Sequence, residues 1–259
     1  MVNLYQANQN DWAYSEKNSY YCATSVIAEH CARLWAVRGD ALYLVARNGE
    51  RLKAIASDLK VKGATQIYTY HMDLNEMNNH VAMLDKAELA LGSIDTVLIA
   101  HGTLSNQKNC EQSVIETIAE IQTNALSIIS LLTLISNRFE KKRNGTIAVI
   151  SSVAGDRGRV SNYVYGSAKA MVTSFASGIR QRLHKANVAV VTIKPGFVDT
   201  PMTAHFKKGL LWAKPDLVSV KIVKAIDQRK DEVYIPSFWW FVMTAIKMIP
   251  ENIFKRFNI

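Results

Sequence analysis

The chain has 259 residues, 49% of them apolar, and its Lys and Arg outnumber Asp and Glu by 31 to 22, a formal net charge of +9. That is enough for one large α/β domain or two small ones with a sizeable core, and no Pro/Gly/Ser-rich linker, repeat or low-complexity tract divides it. Cys22, Cys31 and Cys110 form no C-x-x-C pair and the six His no ligand-spaced cluster, which excludes a disulfide framework and a structural metal and favours a reducing, cytoplasmic setting.

No basic-aromatic platform or recognition helix points to nucleic acid. The positive charge fits either a solvated surface or attraction to anionic lipid and phosphorylated substrates. Residues 1–16 are polar and aperiodic, lack the apolar stretch of a signal peptide, and read as a disordered or aberrant extension. From Ala23, Ile27, Cys31, Leu34 and Trp35 recur at helical spacing and Gly39 stops the helix. The preceding KNSYY is a poor strand, because Asn18 and Ser19 would need partners in a dry core.

ALYLVAR (41–47) is a strand, residues 48–63 an amphipathic helix ending at Gly63, and QIYTYHMDL (66–74) the next strand. A helix over about 75–91 stops at Gly92, and IDTVLIAHGTL (94–104) is a buried strand and turn. Residues 111–139 form a long helix rich in Leu, Ile and Ala, with Asn124 a polar residue inside the apolar run. Then comes TIAVISSVAGDRGRVSNYVYGSAK (146–169), read as a strand ended by Ser152, a loop, and a helix continuing to about His184. NVAVVTIKPGFVDTPM (187–202) is a strand followed by Pro195-Gly196. The loop 203–214 offers His205, Lys207 and Lys208 to a phosphate or simply to solvent. A helix over 214–230 and the strand EVYIP (232–236) follow.

The chemistry is concentrated in 146–169. Tyr165 and Lys169 are four residues apart and share a helical face, so both can point into one cleft. A cation beside a phenol favours the phenolate, which would pull the Tyr pKa down from about 10 and suit it to proton transfer. Ser152, at a strand's C-terminal end, stands where open α/β sheets bind ligands. Tyr163 has only Ser167 at its i+4 position.

The strand–Ser–thirteen residues–Tyr-x-x-x-Lys arrangement resembles the short-chain dehydrogenase/reductase family. The resemblance runs from about residue 22 to 236. It implies a doubly wound, mostly parallel seven-stranded sheet of order 3-2-1-4-5-6-7 over residues 17–236. It also implies a catalytic set of Ser152, Tyr165, Lys169 and Asn124, with Asn124 anchoring a water beside the lysine. The family's glycine turn falls on Cys22, Val26 and Ala28, none of them glycine. Thr24, Ser25, Val26 and Ile27 would still face the pyrophosphate from a helix N-terminus. Where NAD(H)-dependent members carry an acid, this chain has Ala46 and then Arg47, which suits a 2′-phosphate and favours NADP(H) over NAD(H). Asp73 matches the position beside the adenine. Ala100 and Gly102 match the Asn-Ala-Gly turn, with Gly102 allowing close approach to the cofactor. His101 reads as a local hydrogen-bonding residue. Pro195, Gly196, Val198 and Thr200 match the nicotinamide turn.

The wording of whole segments, ATS-IAE, IAHGTL and KPGFVDTPMT among them, is similar to a bacterial subgroup that includes the decaprenylphosphoryl-ribose 2-keto-reductases. That implies reduction of a ketone, or the reverse oxidation, on a lipid-linked keto-sugar. Two other readings stay open. One is a reductase of a free hydrophobic carbonyl compound; the other is a catalytically impaired binding or scaffold protein whose glycine turn is degraded. Homo-oligomerisation is the family's habit. Residues 237–259 are apolar with Trp239, Trp240, Phe241, Lys247, Lys255 and Arg256. The almost continuously apolar run, 238–249, is too short to span a bilayer, and the segment suits an amphipathic helix at the cytoplasmic face of the inner membrane, or one packed on its own domain or on a second subunit. KNSYYC reads either as a genuinely diverged N-terminus or as a slipped frame, in which a codon run for K-I-A-I-I-G with one base inserted and one lost reads K-N-S-Y-Y-C. On the second reading, residues up to about 22 are an aberrant translation of an ordinary strand and glycine turn.

Overall fold

Every strand pair is parallel, and the strands lie in the order β3-β2-β1-β4-β5-β6-β7. The computed structural model describes residues 18–22, as backbone, and 25–257; the N-terminal extension and Thr24 lie outside these. The strands are β1 (Asn18–Cys22), β2 (Ala41–Ala46), β3 (Ile67–His71), β4 (Thr96–Ile99), β5 (Gly145–Ile150), β6 (Val188–Pro195) and β7 (Glu232–Ile235). The helices are α1 (Val26–Val37), α2 (Gly49–Val61), α3 (His80–Leu91), α4 (Gln107–Gln112), α5 (Val114–Ile121), α6 (Ser127–Lys142), α7 (Tyr163–Leu183), α8 (Pro215–Asp227), α9 (Trp239–Met248) and α10 (Glu251–Phe254). The expected strand order is the one observed.

The central strand differs from the sequence expectation. Asn18–Cys22 sits between β2 and β4, in register from Asn18 opposite Ala41 to Cys22 opposite Val45. The physical reason is the sheet itself. Without β1, the facing edges of β2 and β4 would leave two rows of amides and carbonyls unpaired in the interior. These are also the positions that an in-frame K-I-A-I-I-G would fill.

Alternation along β2 separates two cores. Tyr43 and Val45 pack with Met83, Ile128, Leu131 and Val172 on the face covered by α3, α6 and α7. Leu42 and Leu44 pack with Cys31, Trp35, Leu59 and Ile222 under α1, α2 and α8. The stretch Val114–Lys142 is long and apolar enough to cross a membrane, yet Ala125, Ile128, Leu131, Leu132, Ile135 and Phe139 are buried against the sheet. Each such aliphatic side chain contributes roughly 1.5–3 kcal/mol when buried, so this is a core helix. The sequence reading began it at 111; a break at Ser113, which caps α5 by accepting from Glu116 N, starts it at Val114.

A third, small core binds the C-terminal segment to the domain. Trp239 and Met243 pack against Val153 and Tyr234, while Trp240 and Phe241 are exposed. Arg157 fastens the same segment. Its guanidinium donates to the carbonyls of Ile246 (2.5 Å) and Ile249 (2.6 Å), pairs with Glu251 (2.9 Å) and covers the Phe254 ring at 3.7 Å. One step away, Lys194 on β6 pairs with Asp156 at 2.8 Å and Glu232 at 3.0 Å, and the Tyr234 hydroxyl donates to Asp156 at 2.7 Å. Lys194 and Asp156 are both buried, with side chains 5% and 3% exposed.

A buried pair of this kind is costly to break from one side. Lys194→Met is expected to lower unfolding free energy by about 3 kcal/mol in urea denaturation, because Asp156 is left with only the Tyr234 donor. A loss under about 1 kcal/mol would contradict the assignment.

Candidate active site

The parallel arrangement brings the C-terminal ends of β2, β4, β5 and β6 and the N-terminus of α1 to one edge, where they surround a cleft of about 1110 Å³. Every expected site residue within the described chain lines it. Ser25, Val26 and Ile27 stand at the α1 end, Arg47 beyond β2, Asp73 beyond β3, and Ala100 and Gly102 beyond β4. Asn124, Ser152, Tyr165 and Lys169 form the middle, and Pro195, Gly196, Val198 and Thr200 the far wall.

β5 ends at Ile150, two residues earlier than the sequence reading had it, so Ser152 lies in the loop, where its Oγ accepts from Ala154 N at 3.1 Å. Ser151 ties that loop to α7: its hydroxyl donates to the Lys169 carbonyl at 3.0 Å and lies 2.7 Å from Thr173 Oγ1. This brings Ser152 against the helix that carries Tyr165 and Lys169. Tyr163 points outward, 42% exposed. Lys169 is 3% exposed; its Nζ donates to the Ile150 carbonyl at 3.2 Å and lies 5.6 Å from the centre of the Tyr165 ring.

Electrostatics here correct the sequence expectation. Burial pushes the Tyr165 phenol up to about 12; a hydrogen bond with Ser152 opposes this and the charge of Glu120 adds to it. Burial pushes the Lys169 ammonium down to about 8, with Glu120 opposing. Desolvation therefore outweighs the Ser152 hydrogen bond at the phenol, and no lowering by Lys169 is found. The shift is in the direction that keeps Tyr165 protonated near neutral pH.

Asn124 sits in a single π-helical turn, Gln122–Leu126, between α5 and α6, a local irregularity often found at functional sites. It is fully buried. Its Oδ1 accepts from Thr103 N at 3.1 Å, and its Nδ2 donates to Thr103 Oγ1 at 3.1 Å and the Glu120 carbonyl at 3.2 Å. Gly102 is explained by this contact. A Cβ there would lie 2.5 Å from Asn124 Oδ1 and 3.4 Å from Lys169 Nζ, so the missing side chain makes room for these two side chains rather than only for a cofactor. Gly196 is explained by the C-terminal segment, since a Cβ would overlap the indole of the buried Trp239.

Several site residues were not singled out from sequence. Glu120 is 3% exposed and accepts from Thr103 Oγ1 (2.9 Å), Ser105 N (3.3 Å) and Ser105 Oγ. Its signal was an acid one turn before Asn124 in an apolar helix. Arg51 joins Arg47 on the cleft wall, four residues on, and pairs with Glu29 at 3.3 Å. Asn75 also lines the cleft, with Oδ1 buried and unpartnered. His101 lies 2.7 Å from Ser127 Oγ, the local hydrogen bond expected of it; burial, then Lys169 and His80, push its imidazole down to about 3. Of the three loop residues considered for a phosphate, Lys208 is paired with Asp199 at 2.6 Å and Lys207 is not on the cleft wall; only His205 is.

The residues fit a dinucleotide. Ser25 caps α1 by accepting from Ala28 N at 3.1 Å, leaving the helix N-terminus open to the cleft. Arg47 supplies a cation at the end of β2, and the orphaned Asn75 Oδ1 supplies an acceptor for an amino group.

Comparison with known proteins agrees with this geometry. The short chain dehydrogenase family model matches residues 20–210. An uncharacterized oxidoreductase of Mycobacterium tuberculosis is 32% identical over 218 residues, 84% of this chain and 88% of the relative. An uncharacterized oxidoreductase of Streptomyces coelicolor is 30% identical over 90% of this chain and 92% of its own. A 3-oxoacyl-(acyl-carrier-protein) reductase of Chlamydia muridarum is 30% identical over 69% and 72%. A short-chain type dehydrogenase/reductase from Mycobacterium marinum shares the fold, with a TM-score of 0.79 at 18% identity over 87% of this chain and 96% of that one. The named relatives give no support at the level of the decaprenylphosphoryl-ribose subgroup. The chain belongs to the short-chain dehydrogenase/reductase family of oxidoreductases, whose members use NAD(P).

Proposed function

We propose that this protein reduces a ketone with NADPH, and that Ser152, Tyr165, Lys169 and Asn124 carry the reaction. The observation that carries this reading is the convergence of all four on one cleft, with Tyr165 held protonated. When bound, the nicotinamide supplies the hydride. Ser152 orients the carbonyl by hydrogen bonding to its oxygen. Tyr165 gives its proton to the developing alkoxide. Lys169 holds the nicotinamide ribose and reprotonates Tyr165, and Asn124 anchors the water that links Lys169 to bulk solvent. Arg47 and Arg51 at the adenosine end, with Ala46 in place of an acid, support NADPH over NADH.

A lipid-linked keto-sugar substrate is supported by the surface beside the cleft. Met202 and Phe206 line its far wall. Phe197 stacks on Trp212 at 5.3 Å and meets Trp239 edge-on at 5.3 Å, joining that wall to the C-terminal segment. There Phe238, Trp240, Phe241, Met248, Ile253 and Phe257 are exposed among Lys247, Lys255 and Arg256. An apolar, basic face of this kind suits the anionic cytoplasmic leaflet. Exposed Val114, Ile115 and Ile118 on α5 support a homo-oligomer. A second reading, reduction of an apolar acyl ketone, is supported by one observation, the likeness to the Chlamydia 3-oxoacyl-(acyl-carrier-protein) reductase, whose named substrate is carrier-bound.

Tyr165→Phe is expected to lower kcat for ketone reduction by at least 10²-fold, the usual worth of a positioned general acid, with NADPH binding retained. Turnover within tenfold of the natural protein would remove Tyr165 from its role. The pH profile follows from the two shifts. Below about pH 8 Lys169 carries its proton and Tyr165 is protonated too. Above about 8 Lys169 loses its charge while Tyr165 keeps its proton, so kcat/KM for NADPH should fall about tenfold per pH unit. A profile flat to pH 10 would contradict this.

A further inference from the structure

The charge lining the cleft is lopsided. Among the described residues its wall carries Arg47, Arg51, Lys108, Arg159 and Lys169 against one carboxylate, Asp73. A dinucleotide's phosphates answer the arginines at the adenosine end, and Lys108 has Glu111 at 3.3 Å. Lys169 belongs to the catalytic cluster. Arg159 is left over, in the part of the wall that runs from the Ser152 loop to the start of α7.

Arg159 has no ion pair and no side-chain hydrogen bond among the described residues, and its Nε is buried with no partner. Asp156 acts on this guanidinium only as a nearby charge that opposes the effect of burial, and its carboxylate is paired with Lys194 and Tyr234. On the same wall a second donor, Gln107 Nε2, is also buried and unpartnered, while Gln107 Oε1 accepts from Val164 N at 3.2 Å. Donors buried without acceptors destabilise a fold. A half-buried guanidinium without a counter-ion does so more strongly, and its planar fork matches a phosphate or carboxylate.

Building on the ketone-reductase reading, we propose that Arg159, aided by Gln107, binds an anionic group on the substrate, so that the natural ketone carries a phosphate or carboxylate near its reacting carbonyl. The neighbouring Val160, Met202 and Phe206 leave room for an apolar remainder. Two sources fit one chemistry: the phosphodiester of a lipid-linked substrate, or the phosphate of a small soluble one.

The test is binding to the full chain by calorimetry, with and without NADP+, for wild type, Arg159→Met and Arg159→Lys. The probes are farnesyl phosphate, glycerol 3-phosphate and neutral farnesol. Wild type should bind at least one phosphate probe, and farnesyl phosphate more tightly than farnesol. Arg159→Met should weaken the phosphate probes at least tenfold and leave farnesol and NADP+ unchanged; Arg159→Lys should restore part of the loss. Tight farnesyl phosphate with weak glycerol 3-phosphate assigns the lipid source, and comparable binding of the two assigns the soluble one. Arg159→Met should also melt at or above the wild-type temperature, since it removes a half-buried cation that has no ion pair or side-chain hydrogen bond among the described residues. Equal phosphate binding by wild type and Arg159→Met, no preference for phosphate over farnesol, or a clear drop in melting temperature would each overturn the proposal. The readout needs no turnover, so a failure of ketone reduction would show separately, in the NADPH assay.

Discussion

The structure depends on the uniform direction of its strands. Because all seven run parallel, every strand's C-terminal end falls on one edge, and every chain segment leaving it must turn there. The strand order reverses between β1 and β4, which opens the crevice that α/β sheets use for ligands. Residues remote in sequence reach that crevice without any loop having to find it: Ser25 from one turn, Arg47 from the next, then Gly102, Ser152 and Gly196. β1 makes this possible as the strand shared by both halves, although its sequence is the least strand-like of the set.

Burial then decides the chemistry. Tyr165, Lys169 and Asn124 are packed tightly enough that Gly102 cannot carry a Cβ, and the same packing pushes the phenol up and the ammonium down. Glu120 supplies the only opposing charge resolved at Lys169 and is itself held by Thr103 and Ser105. The loop bearing Ser152 is fixed from the other side by Lys194, Asp156 and Tyr234. Arg157 and Trp239 extend that anchoring into the C-terminal segment. The tail is therefore two-sided. Trp239 and Met243 pack against Val153 and Tyr234, while Trp240 and Phe241 are exposed.

Much of this was legible in the sequence because it is local. The i, i+4 spacing of Tyr165 and Lys169 and the apolar runs of β2, β5 and β6 need no tertiary information. Asp73, Gly102 and Pro195 were legible only through the resemblance to the family's motifs. What was not legible arises between segments. The shift of Tyr165 comes from burial by elements far along the chain. Gly196 is required by Trp239, more than forty positions on. Arg159 carries no signal in the sequence; its missing partner shows only in the packed loop. KNSYY was doubted because polar side chains argue against a central strand, but pairing demand from β2 and β4 outweighs that preference.

The central claim is that this cleft binds NADPH in spite of Val26 and Ala28 at the glycine positions. Thermal unfolding of the full chain with increasing NADPH or NADH tests it most directly. The account predicts that NADPH raises the melting temperature, by about 2.7 kcal/mol of added stability at a hundred times its Kd, and that NADH does so less. No shift at millimolar NADPH, or a larger one with NADH, would contradict it.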